Sequence, residues 1–176
     1  MADITDTYYN GGARIGYGAQ FLVGQGDGSP ETFTAVPDIN TITFGDMTTW
    51  VVDVTHLRSP GRHREKKGTL RDSGAITLAG NYVPTHGMHL QAGSQSDGVE
   101  AGYSLLALWR NVTECNFQIF IPDVPITDGS SPGETGTTLP IRGVVTKYQV
   151  GALTLDGKQD FTCEITPLHD YSGDWA

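Results

Sequence analysis

The sequence predicts one mainly β domain, a β-sandwich or barrel with a single flanking α-helix. Three observations support this class. The 176 residues are enough for one domain spanning 1–176. Glycine is frequent (23 residues) and only 18% of the chain is charged, which is unlike a helical bundle. Most apolar segments are short and alternate with polar residues, as strands with one buried face do. We therefore expect sheets around one core, with a helix packed against them.

Alternating segments predict the strands. They lie at residues 15–23, 39–44, 48–55, 74–82, 115–121, 141–155 and 159–166. In the clearest one, 48–55, Trp50, Val52 and Val54 share a face that we expect to be buried. The last two segments flank Asp156-Gly157, a dipeptide typical of a tight hairpin turn.

One segment, residues 97–112, predicts the only long helix. Asp97 can cap it, and Glu100 follows at the spacing of a capping box. Large side chains continue at helical spacing: Val99, Tyr103, Leu106 and Arg110. Gly98 and Gly102 weaken the first turns, because glycine is a poor helix former.

Four segments fall outside these elements. Residues 1–14 and 167–176 read as polar terminal arms. Residues 122–140 are rich in Pro, Gly, Ser and Thr and predict a long exposed loop. Residues 56–72 predict a basic loop.

The charge is unevenly distributed. Eleven Lys and Arg against twenty Asp and Glu give a net charge of −9. Six of the cations fall within residues 58–71: Arg58, Arg62, Arg64, Lys66, Lys67 and Arg71. With Glu65 this segment carries +5, so the remainder carries −14. Such a dipolar chain can attract a second copy of itself. A solvated loop without a partner is the alternative, and the absence of interleaved aromatic residues disfavours nucleic-acid binding.

Motifs for catalysis or cofactors are missing from the sequence. Neither HExxH, GxSxG nor a Walker loop occurs, and the histidines lack metal-ligand spacing. We expect no enzyme, no cofactor and no metal. The sequence also shows no signal-peptide pattern and no apolar run of membrane-spanning length. A carbohydrate-binding β-sandwich is an alternative, but it would need an exposed aromatic platform. Trp50 and Trp109 are expected to be buried, which leaves Trp175.

Several segments resemble a known family. Residues 15–61 run IGYGAQFLVGQGDGSPETFTAVPDINTITFGDMTTWVVDVTHLRSPG. Further matching pieces are Arg64-Glu65, Leu70 to Leu78, Asn81 to Pro84, Ser104–Arg110 and Asn116–Asp123. Their order and spacing resemble the major tail tube proteins of long flexible-tailed (siphovirus-type) bacteriophages, over roughly residues 15–123. Two departures are the basic charge of Lys66–Thr69 with Arg71, and an insert at 84–96.

The resemblance implies a structural virion protein with a tail tube fold. Its members form hexameric rings that stack into a hollow tube, through which DNA is delivered into the host. The implied partners are further copies of the chain, a tape-measure protein, a tail terminator and distal tail or initiator proteins. DNA would pass without specific binding, because an acidic lumen repels phosphates. The implied location is the virion tail, and the host cytoplasm during assembly. A tube of a related injection particle, gene-transfer particle or tailocin is the alternative.

The resemblance also implies roles for individual residues. The basic loop 56–72 would form the inter-ring contact through the six cations given above. The expected lumen-facing positions are Thr49, Asp53, Thr55, Ala75, Thr77, Thr162 and Glu164, unless these form only the solvent face of a monomer. Contacts from the terminal arms would come from Tyr8, Tyr9, Tyr171 and Trp175.

Overall fold

The computed structural model describes residues 18–26, 30–56, 64–122, 136–152 and 157–168, and these form antiparallel β-sheets with one short α-helix. The strands are β1 Gln20–Gln25, β2 Thr32–Ala35, β3 Ile39–Phe44, β4 Thr48–Asp53, β5 Lys66–Asp72, β6 Ile76–Asn81, β7 Glu114–Pro122, β8 Gly136–Val150 and β9 Asp160–Pro167. The helix, α1, is Leu105–Asn111, and two 3₁₀ turns, Gly87–His89 and Gln95–Asp97, precede it. The mainly β prediction is confirmed.

Seven strands form one sheet in the order β2-β1-β7-β8-β9-β6-β3. The two edge strands, β2 and β3, are consecutive in the chain and only residues 36–38 join them. Three residues can span at most about 10 Å, so the sheet curls until its edges approach each other. Val36 N–H donates to Phe21 O at 2.8 Å, which fixes this crossing against β1. The result is a barrel-like body.

The core follows the alternation of the strands. Its largest fully buried side chains include Phe21, Phe117, Phe161, Ile76, Leu78, Ile119 and Ile165. The Phe21 and Phe117 rings lie 5.6 Å apart between centroids, on the neighbouring strands β1 and β7. Helix α1 adds Leu105 and Leu108 from one side. Complete burial of side chains of this size contributes about 1.5–3 kcal/mol each, so this core holds the body together.

The helix prediction was wrong in length. The helix begins after Ser104, whose hydroxyl accepts a hydrogen bond from Ala107 N–H at 3.1 Å. Gly98 and Gly102 have φ of 68° and 93°, a left-handed backbone that a right-handed helix cannot include. Asp97 therefore caps no α-helix. Its carboxylate accepts from Gly87 N–H at 2.8 Å and ties the two 3₁₀ turns together, which holds the pKa of Asp97 below its ordinary value.

Two predicted loops are partly strands. Of the basic loop 56–72, Lys66–Asp72 is β5. Of the loop 122–140, Pro122 ends β7 and Gly136–Pro140 begins β8, because these residues pair with each other across the two strands. Pro167, placed in the C-terminal arm, ends β9. The N-terminal arm, the rest of the 122–140 loop and residues 169–176 lie outside the described residues.

Candidate assembly surfaces

The strands β4 and β5 form a separate two-stranded sheet, here named the hairpin. Its pairing runs from Thr48 opposite Asp72 to Asp53 opposite Lys66, with a register shift between Thr49 and Val51. Beyond that pair, Val54 N–H donates to Glu65 O at 2.9 Å. Every residue of both strands is exposed to solvent. The hairpin is therefore a projection with neither face against the core.

Large apolar side chains cover this projection. Trp50 is 69% exposed and Leu70 is 73% exposed. Val51, Val52 and Val54 are exposed as well, and so are Phe44 and Met47 at the base. The expectation that Trp50, Val52 and Val54 are buried was wrong, because alternation shows that one face is apolar without showing what covers it. Trp109 was also expected to be buried and is 40% exposed, on the outer side of α1.

The same hairpin carries three of the six cations of the predicted inter-ring contact. Arg64, Lys66, Lys67 and Arg71 are all exposed, and the last three stand on β5 opposite Asp53, Val52 and Thr49 respectively. Arg58 and Arg62 lie outside the described residues. The hairpin thus presents cationic and apolar side chains together.

Asp53 is fixed at the end of β4. Its carboxylate accepts hydrogen bonds from the Thr55 hydroxyl and from Thr55 N–H, the latter at 2.9 Å. These bonds, with a smaller contribution from Lys66, hold the pKa of Asp53 below its ordinary value. Asp53 therefore remains an anion beside the cations.

A second surface is the outward face of the body. Cross-strand pairing places Thr43, Thr77, Glu164 and Lys147 in one row over β3, β6, β9 and β8. Thr41, Ala79, Thr162 and Gln149 form the next row. Mostly polar side chains, four of them threonines, therefore line this face of four strands.

The predicted lumen positions separate into two groups. Thr77, Thr162 and Glu164 share this face, and Thr77 is directly opposite Glu164. Ala75 stands just before β6, whereas Thr49, Asp53 and Thr55 belong to the hairpin and its continuation. Sequence reasoning missed Lys147, which faces Glu164 because the β8–β9 register shifts between Val145 and Lys147. No local sequence pattern predicts that register shift.

Among the described residues, the candidates for a catalytic or ligand-binding site are weak. A cleft of about 220 Å³ is lined by Glu31, Glu114, Asn116 and Arg142. Its polar groups bind each other, with Asn116 donating to Glu31 at 2.8 Å and Arg142 to Glu114 at 3.0 Å. No cluster of three metal-binding side chains occurs in the described ranges. None of the described helices is long and apolar enough to cross a membrane.

His89 is a polar group inside the core. It is 1% exposed, and its Nδ1 is hydrogen-bonded to the Tyr148 hydroxyl at 2.8 Å. Its Nε2 has no hydrogen-bond partner among the described residues. Burial among Tyr82, Tyr148 and Phe161, with a smaller contribution from His86, lowers the pKa of His89 to about 4. The imidazole is therefore neutral at pH 7.

The two thiols are also buried. Burial raises the pKa values of Cys115 and Cys163 to about 12, and both cysteines are free. Cys115 lies in β7 and Cys163 lies in β9.

Comparison with known proteins finds solved structures with a similar fold. No protein-family model matches the sequence, and no curated protein is significantly similar to it. Among solved structures, a chain from the tail of an empty gene transfer agent particle, refined with C6 symmetry, superposes with a TM-score of 0.53 and 16% identity, over 85% of this chain and 91% of that chain. A chain from the 6-fold symmetrised baseplate of the anti-feeding prophage gives 0.55 and 13%, over 89% and 93%. A chain from the tube terminating cap of that prophage gives 0.52 and 14%, over 95% and 96%. At these identities the likeness is one of fold.

Proposed function

We propose that this chain is the structural subunit of a phage-type tail tube and acts by polymerising with copies of itself. One observation carries the proposal: the hairpin exposes Trp50, Val51, Val52 and Leu70 on a single projection from the body. An apolar surface of this kind marks a contact site, because leaving it in water is costly. The likeness in fold to chains from tail particles supports a second copy as the partner.

The finer proposal is a stack of hexameric rings. The number six is taken from the symmetry of the particles that contain the similar folds. The hairpin would join rings, with Arg58, Arg62, Arg64, Lys66, Lys67 and Arg71 meeting the acidic remainder of the next subunit. Opposite charges would select the partner and its orientation, while the apolar side chains would supply most of the affinity.

The polar face of the body would line the lumen. Thr77, Thr162 and Glu164 offer no dense positive charge, so double-stranded DNA would pass without adhering. The other proposed partners are a tape-measure protein, a tail terminator and distal tail or initiator proteins. The location is the virion tail, with assembly in the host cytoplasm. A siphovirus is the proposed source, and a gene-transfer or injection particle is the alternative.

Electron microscopy of concentrated protein tests the proposal. We expect hollow tubes or rings of uniform diameter. Trp50→Ser with Leu70→Ser should abolish them and leave thermal unfolding unchanged, because neither side chain packs in the core. Trp109→Ser is the matched control for losing an exposed tryptophan. Tubes of normal length from the double variant would refute the role of the hairpin.

A second experiment separates charge from apolar contact. Replacing Arg64, Lys66 and Lys67 with Glu should prevent stacking and leave a folded subunit. Lys158→Glu, on the body, is the control for reversing an exposed cation. Normal tubes from the triple variant would reject the ionic inter-ring contact.

The exposure of Trp50 and Trp109 supports a second candidate, a carbohydrate-binding module. The sequence disfavoured it only because both rings were expected to be buried. The two rings lie on different elements, the hairpin and α1. A glycan-binding screen with Trp50→Ala and Trp109→Ala variants decides this, since sugar binding lost in either variant would support the module.

A further inference from the structure

The hairpin and the body are two parts of one long ribbon. Pairing of β3 with β6 ends at Phe44 opposite Ile76, and pairing of β4 with β5 begins at Thr48 opposite Asp72. Three residues intervene on each side, 45–47 and 73–75, so the register continues in step across the gap. These six residues, here named the joint, interrupt the paired strands without shifting them.

Glycine occupies both strands of the joint at the point of closest approach. A Cβ on Gly45 would lie 2.6 Å from Ala75 O and 2.7 Å from Ala75 N. A Cβ on Gly74 would lie 2.8 Å from Asp46 O, and Gly74 has φ of +66°. Distances this short exclude any side chain, so the two backbones touch directly. By contrast, a Cβ on Gly68 in β5 would be 3.4 Å from Thr49 Cγ2, which is an ordinary contact.

Two features of the joint and the hairpin allow bending. Glycine restricts its own backbone least of all residues, so the joint can absorb a backbone rotation. The strands beyond the joint are exposed along their whole length, so they offer no packed face to hold the hairpin against the body.

We infer that the joint is a hinge about which the hairpin turns as a unit relative to the body. Hinges are short terminal segments that absorb backbone rotation while the elements on each side stay rigid, which is the arrangement here. The hinge would let a free subunit present the hairpin at several angles, and docking on a second copy would select one. This last step rests on the proposed function; the hinge itself does not.

Distances between spin labels test the hinge in the free subunit. Lys67→Cys on the hairpin and Gln149→Cys on the body form the reporting pair. Thr138→Cys with Gln149→Cys, both on β8, form the rigid reference. The native thiols are buried, so labelling of the unmodified protein should be negligible. We expect a clearly broader distance distribution for the reporting pair. A distribution as narrow as the reference overturns the hinge, whether or not tubes form.

Glycine variants locate the axis. Gly45→Ala should shift and narrow the reporting distribution, because the new Cβ pushes the two backbones apart. Gly68→Ala should leave it unchanged. A folded Gly45→Ala protein with the original distribution would overturn the assignment to the joint. If that variant fails to fold, amide exchange of the unmodified protein decides: amides in 45–47 and 73–75 should exchange faster than those of β4 and β6, and equal protection contradicts the hinge.

The two proposals fail in different ways. A broad distribution with no tubes under any condition refutes the tube function and leaves the hinge intact. Tubes built from a subunit with a narrow distribution refute the hinge alone. When labelled subunits assemble in an excess of unlabelled protein, the distance distribution of the reporting pair should narrow. An unchanged width would refute the selection of one hairpin angle by docking.

Discussion

Acid should destabilise this protein through His89. The folded pKa is about 4 against an ordinary value of 6.5, because the buried imidazole resists protonation. The unfolded chain therefore takes up a proton at a pH where the folded chain does not. The contribution of His89 to the free energy of unfolding is fully present above pH 6.5 and is lost as the pH falls towards 4. At about 1.4 kcal/mol per pKa unit, the total loss is about 3 kcal/mol.

The assay is urea unfolding between pH 7.5 and 4, comparing the unmodified protein with His89→Gln. Glutamine keeps an amide to bond the Tyr148 hydroxyl but does not titrate. The difference in unfolding free energy between the two proteins should shrink by about 3 kcal/mol across this range. His56→Gln, which removes an exposed histidine beside Glu65, is the control for losing a histidine. If His89→Gln loses stability with acid as steeply as the unmodified protein, His89 is not the titrating group.

Three further predictions concern the body. Phe117→Ala should lower the unfolding free energy by about 3–5 kcal/mol in urea titration, because removal of the buried ring leaves a cavity. A loss below about 1 kcal/mol would contradict the packing described. Ser104→Ala should cost about 1 kcal/mol by removing the cap of α1, and Ser104→Asp, which restores a cap, should recover most of it. Cys115 and Cys163 should stay unreactive towards a thiol reagent at pH 8 until urea unfolds the chain, and rapid labelling of the native protein would place a thiol at the surface.

Local pattern predicted the strands well. Residues 39–44 were predicted as a strand and are β3, and the predicted strands 74–82 and 159–166 bury the alternating side chains Ile76, Leu78, Phe161 and Ile165. These succeed because a strand buried on one face has a two-residue period that any single chain displays. The helix was overextended because Val99 and Tyr103 continue its apolar spacing, while the backbone of Gly98 and Gly102 ends it.

The candidate surfaces were harder to predict. Alternation at Trp50 and Val52 is the same whether a core or a second molecule covers that face. The pairing of Thr77 with Glu164 joins residues 87 positions apart and depends on the order of the sheet. The approach of Gly45 to Ala75 also depends on the fold. Charge was easier to follow, since the cations Lys66, Lys67 and Arg71 are neighbours along the chain and lie on the same strand, β5.

The strand order has a consequence for synthesis. In the sheet, β1 pairs with β7 and β6 pairs with β9, so the body needs the last strand before it can close. The hairpin joins residues close in sequence, and such local pairs form much faster than distant ones. On the ribosome, both strands of the apolar hairpin are therefore translated while strands of the body are still missing. Nascent chains on one polysome would then contact each other through their hairpins. Slow translation after β5 should therefore increase aggregation of this protein.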